Sequence, residues 1–175
     1  AGAGDAVCEA AGCLVFPGFI DAHTHLDMDS GTTVTADDFA SGSRAAACGG
    51  TTTLVDFATQ ERGGMLRDAL DAWHRKAEGK CACNYAFHMA VTDWNEQTRA
   101  ELPQMFERGV TSFKAYYAYD NLRLDDAQMY DLLSALRPFG GVLGVHCENG
   151  TLVNRLQREQ LEKSVTGPAG HPASR

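Results

Sequence analysis

Strand-length apolar runs recur along this sequence at nearly even intervals, and each is followed by a stretch with helical spacing. Taking the runs to start at Phe19, Thr53, Asn84, Thr111 and Val142, the intervals are 34, 31, 27 and 31 residues. Between the first two runs, a polar loop from Asp29 to Val34 leads to Thr35-Ala36-Asp37-Asp38, which opens a helix in the manner of a capping box and ends at Gly49-Gly50. Leu66, Leu70, Trp73 and Ala77 then repeat at helical spacing before Gly79. A third helix is expected from about Asn95 to Arg108, with Pro103 either interrupting it or marking its start. A fourth opens at Asp125 or Asp126, turns Met129, Leu132, Leu133 and Leu136 inward, and stops at Pro138-Phe139-Gly140-Gly141. Strand and helix alternating this regularly predict βα units on a parallel sheet. A TIM (β/α)8 barrel of about 250 residues is built from eight such units, so this chain supplies about the first five strands. A doubly wound open sheet would carry a Gly-rich phosphate loop after its first strand, and none is present.

The barrel reading gives the polar residues a common address. In the run Phe16 to Met28, Asp21, His23 and His25 fall on one face of a strand, while Ile20, Ala22 and Leu26 fall on the other. Two imidazoles on one face can share a metal ion. Lys114 stands late in strand four beside Ser112 and Tyr116, and His146 late in strand five, where Leu143, Val145 and Cys147 take the opposite face from Gly144, His146 and Glu148. The C-terminal ends of barrel strands are where active sites are built. A lysine inside a barrel is costly as an ammonium ion, so Lys114 either pairs with a carboxylate, with Asp21, Asp56 and Glu148 as candidates, or changes chemically.

Composition narrows the partners. The net charge of −8 and the lack of a basic block argue against nucleic-acid and anionic-membrane surfaces. No apolar run approaches the roughly 20 residues of a membrane span, and the N-terminal residues lack signal-peptide character, which suggests a cytoplasmic chain. Cys8, Cys13, Cys48, Cys81, Cys83 and Cys147 contain no Cys-x-x-Cys pair and are expected to be reduced and mostly buried.

The runs Pro17 to Met28, Thr33 to Phe39, Gly50 to Thr53, Val145-His146-Cys147-Glu148-Asn149-Gly150 and the tail Thr166 to Arg175 resemble the dihydropyrimidinase and D-hydantoinase family of cyclic amidohydrolases. The resemblance covers residues 13 to 175 nearly without gaps. It implies two zinc ions, with His23 and His25 on the more buried one, His146 on the more exposed one, and carboxylated Lys114 bridging them. A carbamate formed from lysine and carbon dioxide is an anion whose two oxygens can reach two cations. Tyr119 matches the family's tyrosine that donates to the substrate's developing oxyanion, and Asp21 is expected to orient a ligating imidazole. The implied substrate is a small cyclic amide, a dihydropyrimidine or 5-substituted hydantoin opened to an N-carbamoyl amino acid. The implied assembly is a homotetramer.

Residues 1–15 then read as a remnant of a preceding small β domain, and 16–175 as the N-terminal part of the catalytic barrel. A further metal-binding histidine, an aspartate that serves as ligand and base, and other substrate contacts would lie beyond Arg175. The chain alone is therefore expected to be inactive and to associate through open sheet edges. Intact ligand positions favour a hydrolase over the family's non-catalytic scaffold proteins, and Leu26-Asp27-Met28 resembles the hydantoinase branch better than allantoinase or dihydroorotase.

Overall fold

Five strands form one wholly parallel sheet whose spatial order, β1-β2-β3-β4-β5, is the order of the sequence. They are β1 (Phe19–Thr24), β2 (Thr51–Thr59), β3 (Asn84–Ala90), β4 (Ser112–Tyr116) and β5 (Val142–His146). The intervening helices are α1 (Phe39–Cys48), α2 (Leu66–Ala77), α3 (Glu96–Glu107) and α4 (Asp126–Leu136), followed after β5 by α5 (Gly150–Glu162) and α6 (Gly170–Ala173). A doubly wound sheet reverses its strand order at a switch point, whereas consecutive barrel units add strands in sequence, so this is five-eighths of a (β/α)8 wall. The computed structural model describes residue 2 and residues 4–31 and 33–175. Ala1 and Ala3 of the leading segment, and Thr32 of the polar loop, lie outside the described residues.

Local chemistry sets most boundaries. Asp38 caps α1, accepting from the Ala40 and Ser41 amides at 2.9 and 2.8 Å, while Ser41 Oγ accepts from the Asp38 amide at 3.1 Å. These hydrogen bonds hold the Asp38 carboxyl below its usual range. Asn95 caps α3 through the Gln97 and Thr98 amides, and the helix runs on through Pro103 rather than breaking or starting there. Its cap and the burial of Leu102 and Met105 offset the backbone bond that Pro103 cannot make.

The outer face of the sheet carries the core. Ala58 of β2, Phe87 and Met89 of β3, and Phe113 and Ala115 of β4 are buried against Phe39, Leu66, Leu70, Leu102, Met105, Leu132 and Leu136 of the helices, and Leu54 of β2 is buried as well. Leu133, expected inward, is 49% exposed. The buried arc of α4 is Met129, Leu132, Ala135 and Leu136, and at 100° per residue Leu133 falls to its side. The six thiols are free, but Cys81 and Cys83 are only half-buried and the other four exposed, correcting the expectation of buried cysteines. They lie in the leading segment, at a helix end and in loops, where strand and helix alternation does not bury them, and Cys81 alone packs against the edge of the core. Among the described residues, no helix is long and apolar enough to cross a membrane.

Asp56 is the one charged side chain of β2 on this packed face, and it is 1% exposed. Its carboxylate accepts from Thr24 Oγ1 at 2.9 Å, the Leu26 amide at 2.8 Å, Trp73 Nε1 at 3.0 Å and the Phe57 amide at 2.8 Å. It therefore ties the end of β1 to α2. Asp56→Ala strands these donors, and the expected loss of unfolding free energy is about 3 kcal/mol. Urea titration checks this; an unchanged midpoint would show that the carboxylate is dispensable.

Candidate metal centre

Alternation along the strands puts His23, Phe57, His88, Lys114 and His146 on the inner face of the sheet, opposite the packed core. Phe57 is the floor. The His23 ring sits 4.6 Å from it, His25 4.9 Å and His88 4.8 Å, centroid to centroid. His23 and His25 meet edge to face at 5.1 Å. The strand ends at Thr24, one residue before His25, and the β1–β2 register shifts between Asp21 and Thr24. Both imidazoles nevertheless reach the same spot, since Asp56 anchors the residues on either side of His25. Lys76 Nζ donates to the Asp27 carbonyl and fixes the turn that follows.

His25 Nδ1 is buried and, among the described residues, has no hydrogen-bond partner. Burial lowers the pKa of this imidazole against the opposing pull of Asp56, with His23 and Lys114 adding to the decrease. A neutral imidazole with an unused buried nitrogen beside a second imidazole fits a metal ligand. Asp21, expected to orient an imidazole, accepts from the His23 backbone amide at 3.1 Å.

Lys114 lies between the two groups of histidines. Its Nζ is 6.0 Å from the centre of the Phe57 ring and 5.5 Å from that of Tyr116. The three carboxylates considered for it have other partners: Asp21 accepts from the His23 amide, Asp56 from its four donors, and Glu148 from His146 Nε2 at 2.5 Å and Arg175 Nη1 at 2.9 Å. Among the described residues no ion pair involves Lys114. The bond to His146 is the main reason that the Glu148 carboxyl titrates below its usual range, with Arg175 adding to it.

Tyr119 stands in the loop after β4, 42% exposed, with its ring 5.0 Å from that of His146. Its backbone is left-handed at φ 67°, a conformation rare for non-glycine residues and concentrated at functional sites. The loop is pinned to β5: the Tyr117 amide donates to the His146 carbonyl at 2.9 Å, and the Gly150 amide to the Tyr117 carbonyl at 3.3 Å. A Cβ on Gly150 would come within 2.7 Å of that carbonyl oxygen, so only glycine lets α5 start this close.

The histidine pair thus stands on one side of Lys114, and His146 with Tyr119 on the other. Among the described residues, no three His, Cys, Asp or Glu side chains gather closely enough to hold one ion. Phe57 and His88 also belong to the site, although sequence reasoning gave them no part in it, and Glu148, considered as a partner of Lys114, bonds to His146. Parity alone could have placed Phe57 and His88 on the inner face.

Residues 14–166 match the amidohydrolase family model. A D-hydantoinase of Geobacillus stearothermophilus is 45% identical over 174 residues, which are 98% of this chain and 37% of that protein. The dihydropyrimidinase of Rattus norvegicus is 39% identical over 171 residues, 97% of this chain and 33% of that one. The crystal structure of a D-hydantoinase from Bacillus sp. AR9 superposes with a TM-score of 0.92 at 43% identity, covering 95% of this chain and 36% of that one. The chain therefore spans a little over a third of the length of such relatives.

Proposed function

The chain belongs to the amidohydrolase family, and from that premise we propose that the protein carrying it is a zinc-dependent hydrolase that opens the ring of dihydropyrimidines or 5-substituted hydantoins. The observation that carries this reading is Lys114: it lies between two histidine groups and, among the described residues, makes no ion pair with a carboxylate. Such a lysine is suited to carboxylation, which replaces an unpaired cation by an anion.

In this reading His23 and His25 would hold one zinc ion and His146 the other, with carboxylated Lys114 as the ligand they would share. The ions, when bound, supply a hydroxide at neutral pH and polarise the amide carbonyl. The protein's own groups do the rest. Phe57 walls the pair of imidazoles from below and fixes the plane in which they meet. Glu148 accepts from His146 Nε2 and holds that ring against rotation. Tyr119 Oη donates to the carbonyl oxygen as it gains negative charge. In the net reaction one water is consumed: the ring C–N bond breaks, the carbonyl carbon gains the water oxygen and becomes a carboxylate, the freed nitrogen takes one proton of the water to become the terminal NH2 of the N-carbamoyl product, and the other proton goes to solvent.

The test is an assay of the zinc-loaded protein with dihydrouracil and a 5-substituted hydantoin, reading the N-carbamoyl product by its ureido group. Turnover that disappears with a chelator and returns with zinc is expected. A protein that binds zinc and opens neither ring would contradict the assignment.

A further inference from the structure

His88 reaches in two directions from the middle of the inner face. Its ring lies over Phe57, its Nε2 is 2.9 Å from the Ala22 carbonyl of β1, and its Nδ1 is 2.6 Å from Ser112 Oγ of β4. A carbonyl oxygen only accepts, so Nε2 carries the proton. In the neutral ring, Nδ1 then accepts from the Ser112 hydroxyl.

Ala22 sits in an irregularity that matters. Between Asp21↔Leu54 and Thr24↔Asp56, β1 advances three residues while β2 advances two. One extra residue is a β-bulge, a device that bends a strand and re-aims a side chain. The residues inside it are Ala22 and His23. Ser112, at the other end, shares the inner face of β4 with Lys114. One imidazole therefore joins the backbone immediately before His23 to the strand that carries Lys114.

We propose that His88 is a positioning residue for the metal centre: its Nε2–H fixes the Ala22 carbonyl and with it the bulge that aims His23. This rests on the reading of His23 as a metal ligand. Simple packing over Phe57 would be served equally by another ring. The hydrogen bond would not.

The test compares His88→Phe, His88→Gln and His88→Asn in the protein carrying this chain, with cobalt(II) as the probe. Affinity is measured by titration, ligand geometry by the visible absorption of the bound ion, and folding by thermal melting. Phenylalanine keeps the ring and loses both bonds. Glutamine places an amide donor where Nε2 was, and asparagine places its polar atoms only near Nδ1. Loss of a group that orients a ligand costs about 10- to 100-fold in metal affinity, so His88→Phe is expected to weaken cobalt binding by at least about 10-fold and alter the spectrum. His88→Gln is expected to recover most of that loss, and His88→Asn little of it. Wild-type affinity and spectrum in His88→Phe would overturn the proposal, as would equal weakening by Phe and Gln. If His88→Phe fails to fold, the Gln and Asn variants decide, and equal affinities of those two would overturn it. A wild-type protein that binds no cobalt would overturn the metal reading itself and this proposal with it, an outcome visible before any variant is compared.

Discussion

Lys114→Ala is expected to lower bound zinc and ring-opening activity together, with activity falling by about 10³-fold or more, as when several kcal/mol of charge stabilisation are withdrawn. As an ammonium ion, Lys114 would repel cations from the space between His25 and His146. As a carbamate it would attract them, and without it His146 is left as a lone ligand on its side. Alanine also leaves room where the carbamate stood, so a short carboxylate such as propionate is expected to restore part of the activity. Lys114→Arg keeps a permanent cation and no cavity, and is expected not to respond. A simple charge role would give the reverse, with arginine tolerated and no effect of added acid. Zinc content and turnover, measured on both variants with and without propionate, separate the two.

Tyr119→Phe is expected to lower kcat by about 10²- to 10³-fold with zinc content unchanged, the size seen when a single oxyanion donor is removed. Two features of the structure make this residue a sharp test. Its ring lies beside His146, and its backbone is held left-handed at φ 67°. Phenylalanine keeps the ring and the strained backbone, removing only the hydroxyl. Tyr119→Gly releases the strain, worth about 1 kcal/mol or more, and is expected to raise stability or leave it unchanged while losing the same catalytic donor. If Tyr119→Phe turned over normally, the phenol would be a wall of the site and not a donor to the reacting oxygen.

Much of this architecture is legible in the sequence because it is local. The caps at Asp38, Asn95 and Asp125 sit where polar side chains precede apolar periodicity, and each is made by the chain immediately around it. Inner and outer faces follow from strand parity, which separates Phe113 from Lys114 and Val145 from His146. What escaped depends on distance in sequence. No local pattern announces that β1 bulges at Ala22, or that a ring on β3 crosses over Phe57 to meet it 66 residues away. The fate of Asp56 was equally hidden: parity with Leu54 sends it to the packed face, where Trp73 and the end of β1 claim it, so it never reaches Lys114. Glu148 shares a face with His146, but only the folded chain brings Arg175 to its other side. The edge position of β1 likewise leaves Ile20 66% exposed although its alternation reads as a buried face.

The central claim is that Lys114 is carried as a bridging carbamate between histidine-held metal ions. Carbon-13 NMR of the zinc-loaded protein prepared in labelled bicarbonate tests it most directly. The account predicts a carbamate carbonyl resonance that is present in the wild type, absent in Lys114→Ala and lost on removal of zinc. A protein that binds zinc at His23 and His25 yet shows no carbamate resonance would contradict it.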